Sequence, residues 1–213
     1  MAQEENKIKP KLLIVTGPQG PGNHLFAKLF SLHPAVEGWR MQINEWQGHH
    51  EEPFSPAWDK PQLLKDKPWK ENSAYMTSIS CPYIKGNQPQ VPKYSEFISE
   101  AKKHCDVIIA IIGRDRNILE IQQKRLRGEH TTPQAMEQFQ GLDKLAPTYY
   151  ISQELFFLYG SDYMMSLGRQ MNFPVLCPSE LYKDFMRQDS NMKYTKFAEG
   201  KYDAEVKKAC EES

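Results

Sequence analysis

The stretch Gly17-Pro18-Gln19-Gly20-Pro21-Gly22-Asn23-His24 has residue types and spacing suited to holding a phosphate. It follows the apolar run Leu12 to Val15 and precedes Leu25, Phe26, Leu29, Phe30 and Leu32, which recur at helical spacing. Strand, glycine-rich turn, helix is the layout of a phosphate-binding loop. Glycine permits the backbone angles that turn several N–H groups inward, and the helix N-terminus adds a partial positive charge. Gly17 and Gly22 have the separation of the nucleotide-hydrolase pattern G-x-x-x-x-G-K-[ST], but Asn23 and His24 stand where its Lys and Ser/Thr belong. The lysine that reaches the outer phosphates and the hydroxyl that holds magnesium are both missing. Such a loop suits a phosphate or sulfate whose chemistry needs no metal. The plainer reading is a strand-to-helix turn without a ligand.

Further candidates lie downstream. Arg114-Asp115-Arg116-Asn117 follows the strongly apolar Asp106–Gly113. Two arginines at a strand end can make planar, bidentate contacts to a second phosphate. Asp115 pairing with an arginine, or Asn117 capping the next helix, are the structural alternatives. Glu45, just before Trp46, and His49, His50, Glu51 and Glu52, between Trp46 and Trp58, form a polar cluster. A general base for a transfer to a hydroxyl or amine belongs in such a segment, and His49 or His50, with Glu45 behind them, are the candidates. A solvated loop explains the cluster equally well. No metal site is expected there, because neighbouring side chains diverge on a helix or a strand. Trp39, Trp46 and Tyr83 suit either the wall of an acceptor pocket or the core.

The elements that must position these residues read as follows. Leu12–Val15 is a buried strand and the helix after the loop runs from near Asn23, with Asn23 as a cap, to before His33-Pro34. Val36–Trp39 is a short strand. Residues 40–70 form a long aromatic-pinned loop with a short helix around Pro61–Lys65. Ala74–Tyr83 is a strand, Ile84–Pro92 a turn-rich link, and Tyr94–Lys103 a helix with Tyr94, Phe97, Ile98 and Ala101 on one face. Asp106–Gly113 is a central strand. Helices are predicted over Arg114–Arg127, Thr131–Leu145, Tyr149–Met171 (bent or interrupted at Gly160) and Ser179–Met186, with a short strand at Phe173–Cys177. Strands alternating with helices predict an α/β fold: three layers, with a central, mainly parallel sheet flanked by helices.

At 213 residues the chain is expected to be a single domain, residues 1–213, with polar termini at 1–10 and 191–213. Lys+Arg and Asp+Glu both total 27 and the pI is near 7.0, which argues against a general nucleic-acid binder. Mean hydropathy is −0.67 and no apolar run approaches a membrane span, so a cytoplasmic, membrane-free protein is expected. Cys81, Cys105, Cys177 and Cys210 form no C-x-x-C pair and read as buried, reduced thiols.

Taken together, these stretches resemble the sulfotransferase family. Gly17 to Leu25, with the helix to Leu32-His33-Pro34-Ala35-Val36, is similar to the family's phosphosulfate loop, G-x-P-[RK]-S-G-T-T followed by L-x-x-H-P-x-V. Val107 to Arg127 resembles its 3′-phosphate motif, closing with Lys124-Arg125-Leu126-Arg127-Gly128. Pro174-Val175-Leu176-Cys177-Pro178-Ser179-Glu180-Leu181 is similar to its late strand and turn. The resemblance implies a P-loop-type sheet and 3′-phosphoadenosine 5′-phosphosulfate (PAPS) as donor, with no metal. Gly17, Pro18, Gln19, Gly20, Pro21, Gly22, Asn23, His24 and Leu25 would surround the phosphosulfate. Arg114 would hold the 3′-phosphate, with Gln122 near the family's serine. A small-molecule or glycan hydroxyl or amine would be the acceptor. The chain departs from the pattern at Gly20, where the family has a loop cation, at Pro21 for its Ser, and at Asn23 and His24 for its Thr pair. His24, if protonated, would substitute for the cation. A nucleotide or nucleoside kinase relative, and a non-catalytic binding protein that keeps the fold, are the alternatives.

Overall fold

The structure, a computed structural model, describes residues 9–38, 53–86 and 88–176; of Leu126 and Arg127 it describes the backbone alone. Glu45, His49, His50, Glu51 and Glu52, with Trp39, Trp46 and the segment from Cys177 onward, lie outside the described residues.

Five strands form one parallel sheet in the order β2-β3-β1-β6-β7. They are β1 (Lys11–Gly17), β2 (Val36–Glu37), β3 (Ala74–Ser80), β6 (Asp106–Gly113) and β7 (Thr148–Ser152), while β4 (Tyr83–Lys85) and β5 (Gln88–Gln90) form a separate antiparallel hairpin. β1 lies in the middle, paired with β3 from Lys11↔Ala74 to Gly17↔Ser80 and with β6 from Lys11↔Asp106. Its position follows from its sequence: Leu12, Leu13, Ile14 and Val15 are all buried, so both faces must be covered.

The two faces build two cores. Leu13, Val15, Met76, Ile108, Ala110, Ile112 and Ile151 pack against α1 (Asn23–Ser31) and α7 (Gln153–Met171). Leu12, Ile14, Tyr75, Ile79, Val107, Ile109 and Ile111 pack against α2 (Ser55–Asp59), the 3₁₀ turn Pro61–Asp66, α3 (Tyr94–Ala101), α5 (Thr132–Phe139) and α6 (Leu142–Leu145). The alternation along each strand is that of a pleated sheet buried on both sides. Phe26 and Phe156 meet edge to face at 5.4 Å in the first core, and Trp58 stacks on Phe97 at 3.8 Å in the second. Burying each such side chain contributes about 1.5–3 kcal/mol. The α/β architecture is thus three-layered, with helices on both sides of the parallel sheet.

Several elements differ from the sequence reading. β3 stops at Ser80, and Tyr83 belongs to the hairpin beyond the cis Cys81–Pro82 bond. The predicted helix 131–145 is two helices broken at Gly141. α4 spans Arg116–Arg127, starting two residues later than predicted, and buries Leu119 and Gln123, while Ile118 and Ile121 are exposed. The predicted helix from Tyr149 begins instead with strand β7, which pairs with β6. Gly160 does interrupt α7, with φ 50° and ψ −120°. Along α7, Leu155, Leu158 and Tyr159 are exposed, while Phe156, Met164 and Leu167 are buried. Residues 173–176 pair with no described strand. Among the described residues, no helix is long and apolar enough to cross a membrane.

Candidate functional site

Because the five strands are parallel, β1, β3, β6 and β7 all deliver their carboxyl ends to one edge. The chain leaves β1 for β2 and β3 on one side, then crosses to β6 on the other. The loop after β1 therefore sits at the point where the strand order reverses, the usual ligand crevice of an open α/β sheet.

Gly17 ends β1 in a space that admits no side chain: a Cβ there would lie 2.6 Å from both Ile112 O and Asn23 Oδ1. Its carbonyl accepts the Cys81 N–H at 2.9 Å, which ties the loop to the end of β3. Gly20 (φ 98°) and Gly22 (φ 103°) are left-handed, a conformation that L side chains rarely adopt. Gly22 is the N-cap of α1; no side chain caps the helix and its first turn holds no acid. The leading N–H groups of a helix have no partner within it, so this uncapped end presents donors and the positive end of the helix dipole to the loop.

Asn23 is not the predicted cap. It is the first helical residue, and its buried side chain folds back under the loop. Nδ2 lies 3.2 Å from Gly17 O, 3.0 Å from Pro18 O and 3.0 Å from Ser80 Oγ, and its two N–H bonds serve two of these at a time. Gln19 Nε2 donates to Pro82 O at 2.9 Å, and Gln123 Nε2 donates to Gln19 O at 2.6 Å. Gln123 Oε1 in turn accepts from Thr131 N and Thr132 Oγ1. The loop is thus pinned from three sides by amide side chains. Sequence reasoning missed Ser80, Gln123 and Gln153. The signal for Gln123 was its spacing four residues after Leu119, on the same helix face.

Arg114 leaves the end of β6 half-buried. Its Nη1 donates to Gln122 Oε1 at 2.7 Å. Gln122 and Leu119 also line the loop: a Cβ on Gly20 would fall 3.3 Å from Leu119 Cδ1 and 3.8 Å from the Gln122 amide carbon. Arg114, Gln122 and the loop are therefore contiguous. Asp115, not Asn117, caps α4, its Oδ1 accepting the Ile118 N–H at 3.0 Å. Arg116 pairs with Glu120 at 2.7 Å on an exposed face, so a second arginine does not join the first. Glu154, on α7, accepts from Asp115 N at 2.8 Å and from Ser152 Oγ at 2.9 Å. Partial burial pushes its carboxyl up, but those hydrogen bonds and the charge of Arg114 outweigh it and hold the pKa below the usual value.

On the opposite side of the loop, Thr16 and Tyr94 share a buried 2.6 Å hydrogen bond. Burial, with the neighbouring Cys81, raises the Tyr94 pKa well above the ordinary range. Burial pushes the Cys81 thiol up to about 12, with a hydrogen bond to Tyr94 acting the other way, so this thiol is not a nucleophile at neutral pH. Tyr83 donates to Asp59 at 2.9 Å beside Lys85 and, partly buried, packs against the second core. His24 is half-buried in the first turn of α1. The base candidates Glu45, His49 and His50 lie outside the described residues.

The phosphosulfate group of a nucleoside phosphosulfate donor presents acceptor oxygens only. The buried atoms Asn23 Oδ1 and Gln19 Oε1 meet no donor among the described residues, and an anion cannot satisfy them. Its hydrogen bonds must come from the first turn of α1 and from Arg114. Each of those groups is suited to an anion, whereas residues 17–22 themselves bring no cation. A scan against protein-family models finds no match to this chain, and a search of curated proteins finds no relative.

Proposed function

We propose that this chain binds PAPS at the Gly17–Gly22 loop and transfers its sulfuryl group to a hydroxyl or amine of a small molecule or glycan. The observation that carries the reading is the uncapped α1 N-terminus behind the left-handed Gly20 and Gly22, contiguous through Gln122 with Arg114 at the next strand end. When bound, the donor supplies an activated sulfur whose bond to the 5′-phosphate oxygen breaks as the acceptor attacks. The first turn of α1 holds the 5′ end and offsets charge gathering on the phosphate. Arg114, oriented by Gln122, holds the 3′-phosphate. His49 or His50, with Glu45, takes the acceptor's proton, and His24 stands in for the missing loop cation. A His24→Ala protein with unchanged turnover removes that last role.

A kinase-like reading is disfavoured, since the residue in the lysine position, Asn23, spends its amide beneath the loop on Gly17 and Pro18 carbonyls. A binding protein without catalysis is the second reading; it is favoured by the absence of any Lys or Arg from residues 17–22. Calorimetric titration with adenosine 3′,5′-bisphosphate, and separately with ATP and magnesium, tests the proposal. Binding of the bisphosphate alone is expected. Magnesium-dependent ATP binding, or no binding of either, overturns it. Sulfate transfer to an acceptor panel then divides enzyme from binding protein.

A further inference from the structure

The opposite edge of the same sheet holds a cleft that the donor reading does not use. It lies at the amino ends of β1 and β3, beside the end of α7, and encloses about 690 Å³. That volume is typical of a small-molecule site. Its lining combines Lys9, Lys11 and Arg169 with the apolar Met165, Phe173 and Val175, and includes no carboxylate. We propose that this cleft binds a small organic anion: an apolar, ring-sized body carrying a phosphate, sulfate or carboxylate.

The electrostatic balance favours an anion. The C-terminus of α7 contributes about −0.5 of a charge, against a full positive charge on each of the three basic residues. Lys11 Nζ donates to Asn172 O at 2.6 Å, which uses one of its three N–H bonds and leaves the others for a ligand. Among the described residues, no ion pair engages Lys9, Lys11 or Arg169. Elsewhere on the surface, lysines and arginines such as Lys70, Lys85 and Arg116 do have acidic partners.

The wall of the cleft is also anchored. Asn172 takes a left-handed turn (φ 47°), and the Phe173 N–H returns to Gly168 O at 2.9 Å. This lays Val175 over Gly168, where a Cβ would come within 2.8 Å of Val175 Cγ2. Phe173 packs edge to face on Phe30 at 6.1 Å. The apolar side is therefore fixed before any ligand arrives, which lowers the cost of binding. Lys9 and Arg169 are exposed, so replacing them leaves the fold intact.

Calorimetric titration of the full chain with 2-naphthyl phosphate tests the assignment. Saturable binding is expected, with 2-naphthol and inorganic phosphate each at least about tenfold weaker. Lys9→Gln and Arg169→Gln should each lower affinity by roughly tenfold, the scale of one lost charged hydrogen bond. Arg114→Ala, at the far edge of the sheet, should leave it unchanged, which separates this site from the donor site. No binding, equal affinity in the Lys9 and Arg169 variants, or loss of binding in Arg114→Ala overturns the proposal.

Discussion

The same strands end in two unlike places. At the carboxyl edge, Gly17, Gly20 and Gly22 admit no or few side-chain atoms, and Asn23, Gln19 and Gln123 spend their amides on the loop itself. The arginine beside it, Arg114, is half-buried and held by Gln122. At the amino edge, Lys9, Lys11 and Arg169 surround an open cleft without acidic partners among the described residues. One edge offers backbone donors in a fixed shape; the other offers basic side chains beside an apolar wall. As binding sites, the first would select by geometry and the second by charge and size.

The largest expected effect concerns the buried thiols that flank the two edges. Cys81 follows β3 at the carboxyl edge and Cys105 precedes β6 at the amino edge; burial pushes both up to about 12, helped for Cys105 by Asp106. The unfolded chain releases these protons near the ordinary thiol pKa of 9.0, before the folded chain does. It therefore binds fewer protons between pH 9 and 12, and stability should fall there by about 1.4 kcal/mol per pH unit for each thiol. Below pH 9 the contribution is fully present. Urea midpoints of Cys81→Ala and Cys105→Ala against pH should each lose one thiol's share of the slope; a slope unchanged by either substitution would show that edge to be open.

Gly17→Ala is next. Its Cβ meets a backbone carbonyl that cannot rotate away, so a loss of about 2–4 kcal/mol is expected in urea unfolding. Gly168→Ala supplies the contrast: a Cβ there would meet Val175 Cγ2 at 2.8 Å and the Phe173 carbonyl only at 3.1 Å, against 2.6 Å to the carbonyl at Gly17, so the cost should be smaller. Gly22→Ala should cost about 1–2 kcal/mol for its left-handed backbone and should weaken bisphosphate binding as well. Arg114→Ala should change stability least, within about 0.5 kcal/mol, yet lower bisphosphate affinity by roughly tenfold or more. Equal effects of Arg114→Ala and Arg169→Gln on bisphosphate binding would erase the distinction between the edges.

What was legible in the sequence follows from what each segment contacts. β1 and β6 are continuous apolar runs buried on both faces, so their composition alone identifies them. The glycine spacing likewise announced its loop. β7 was hidden because Tyr149, Tyr150 and Ile151 run without a break into the apolar pattern of α7. The signal that separates them is Ser152, whose Oγ accepts the Leu155 N–H as a helix cap. Tyr83 was assigned to β3 because nothing in composition marks where Cys81–Pro82 turns the chain. Beside the loop, the place of Arg114 at a strand end was legible from the apolar run before it, whereas Gln122 was pointed to only by the family resemblance. Ser80, Gln123 and Gln153 were not legible, since only the tertiary fold brings them against residues 17–23. The amino-edge cleft was invisible for the same reason: Arg169 lies far in sequence from Lys9 and Lys11, and only the fold brings the end of α7 to the start of β1.

The central claim is that the glycine loop, with Arg114, is the cradle for a nucleotide's anionic ends. Backbone ¹⁵N NMR of the full chain titrated with adenosine 3′,5′-bisphosphate tests it most directly. Saturable shifts are predicted at Gly20, Gly22 and Asn23 and at Arg114 Nε, with Lys11, Gly168 and Arg169 unmoved. Shifts confined to the Lys11, Gly168 and Arg169 end, or no saturable shift at Gly20 and Gly22, would contradict it.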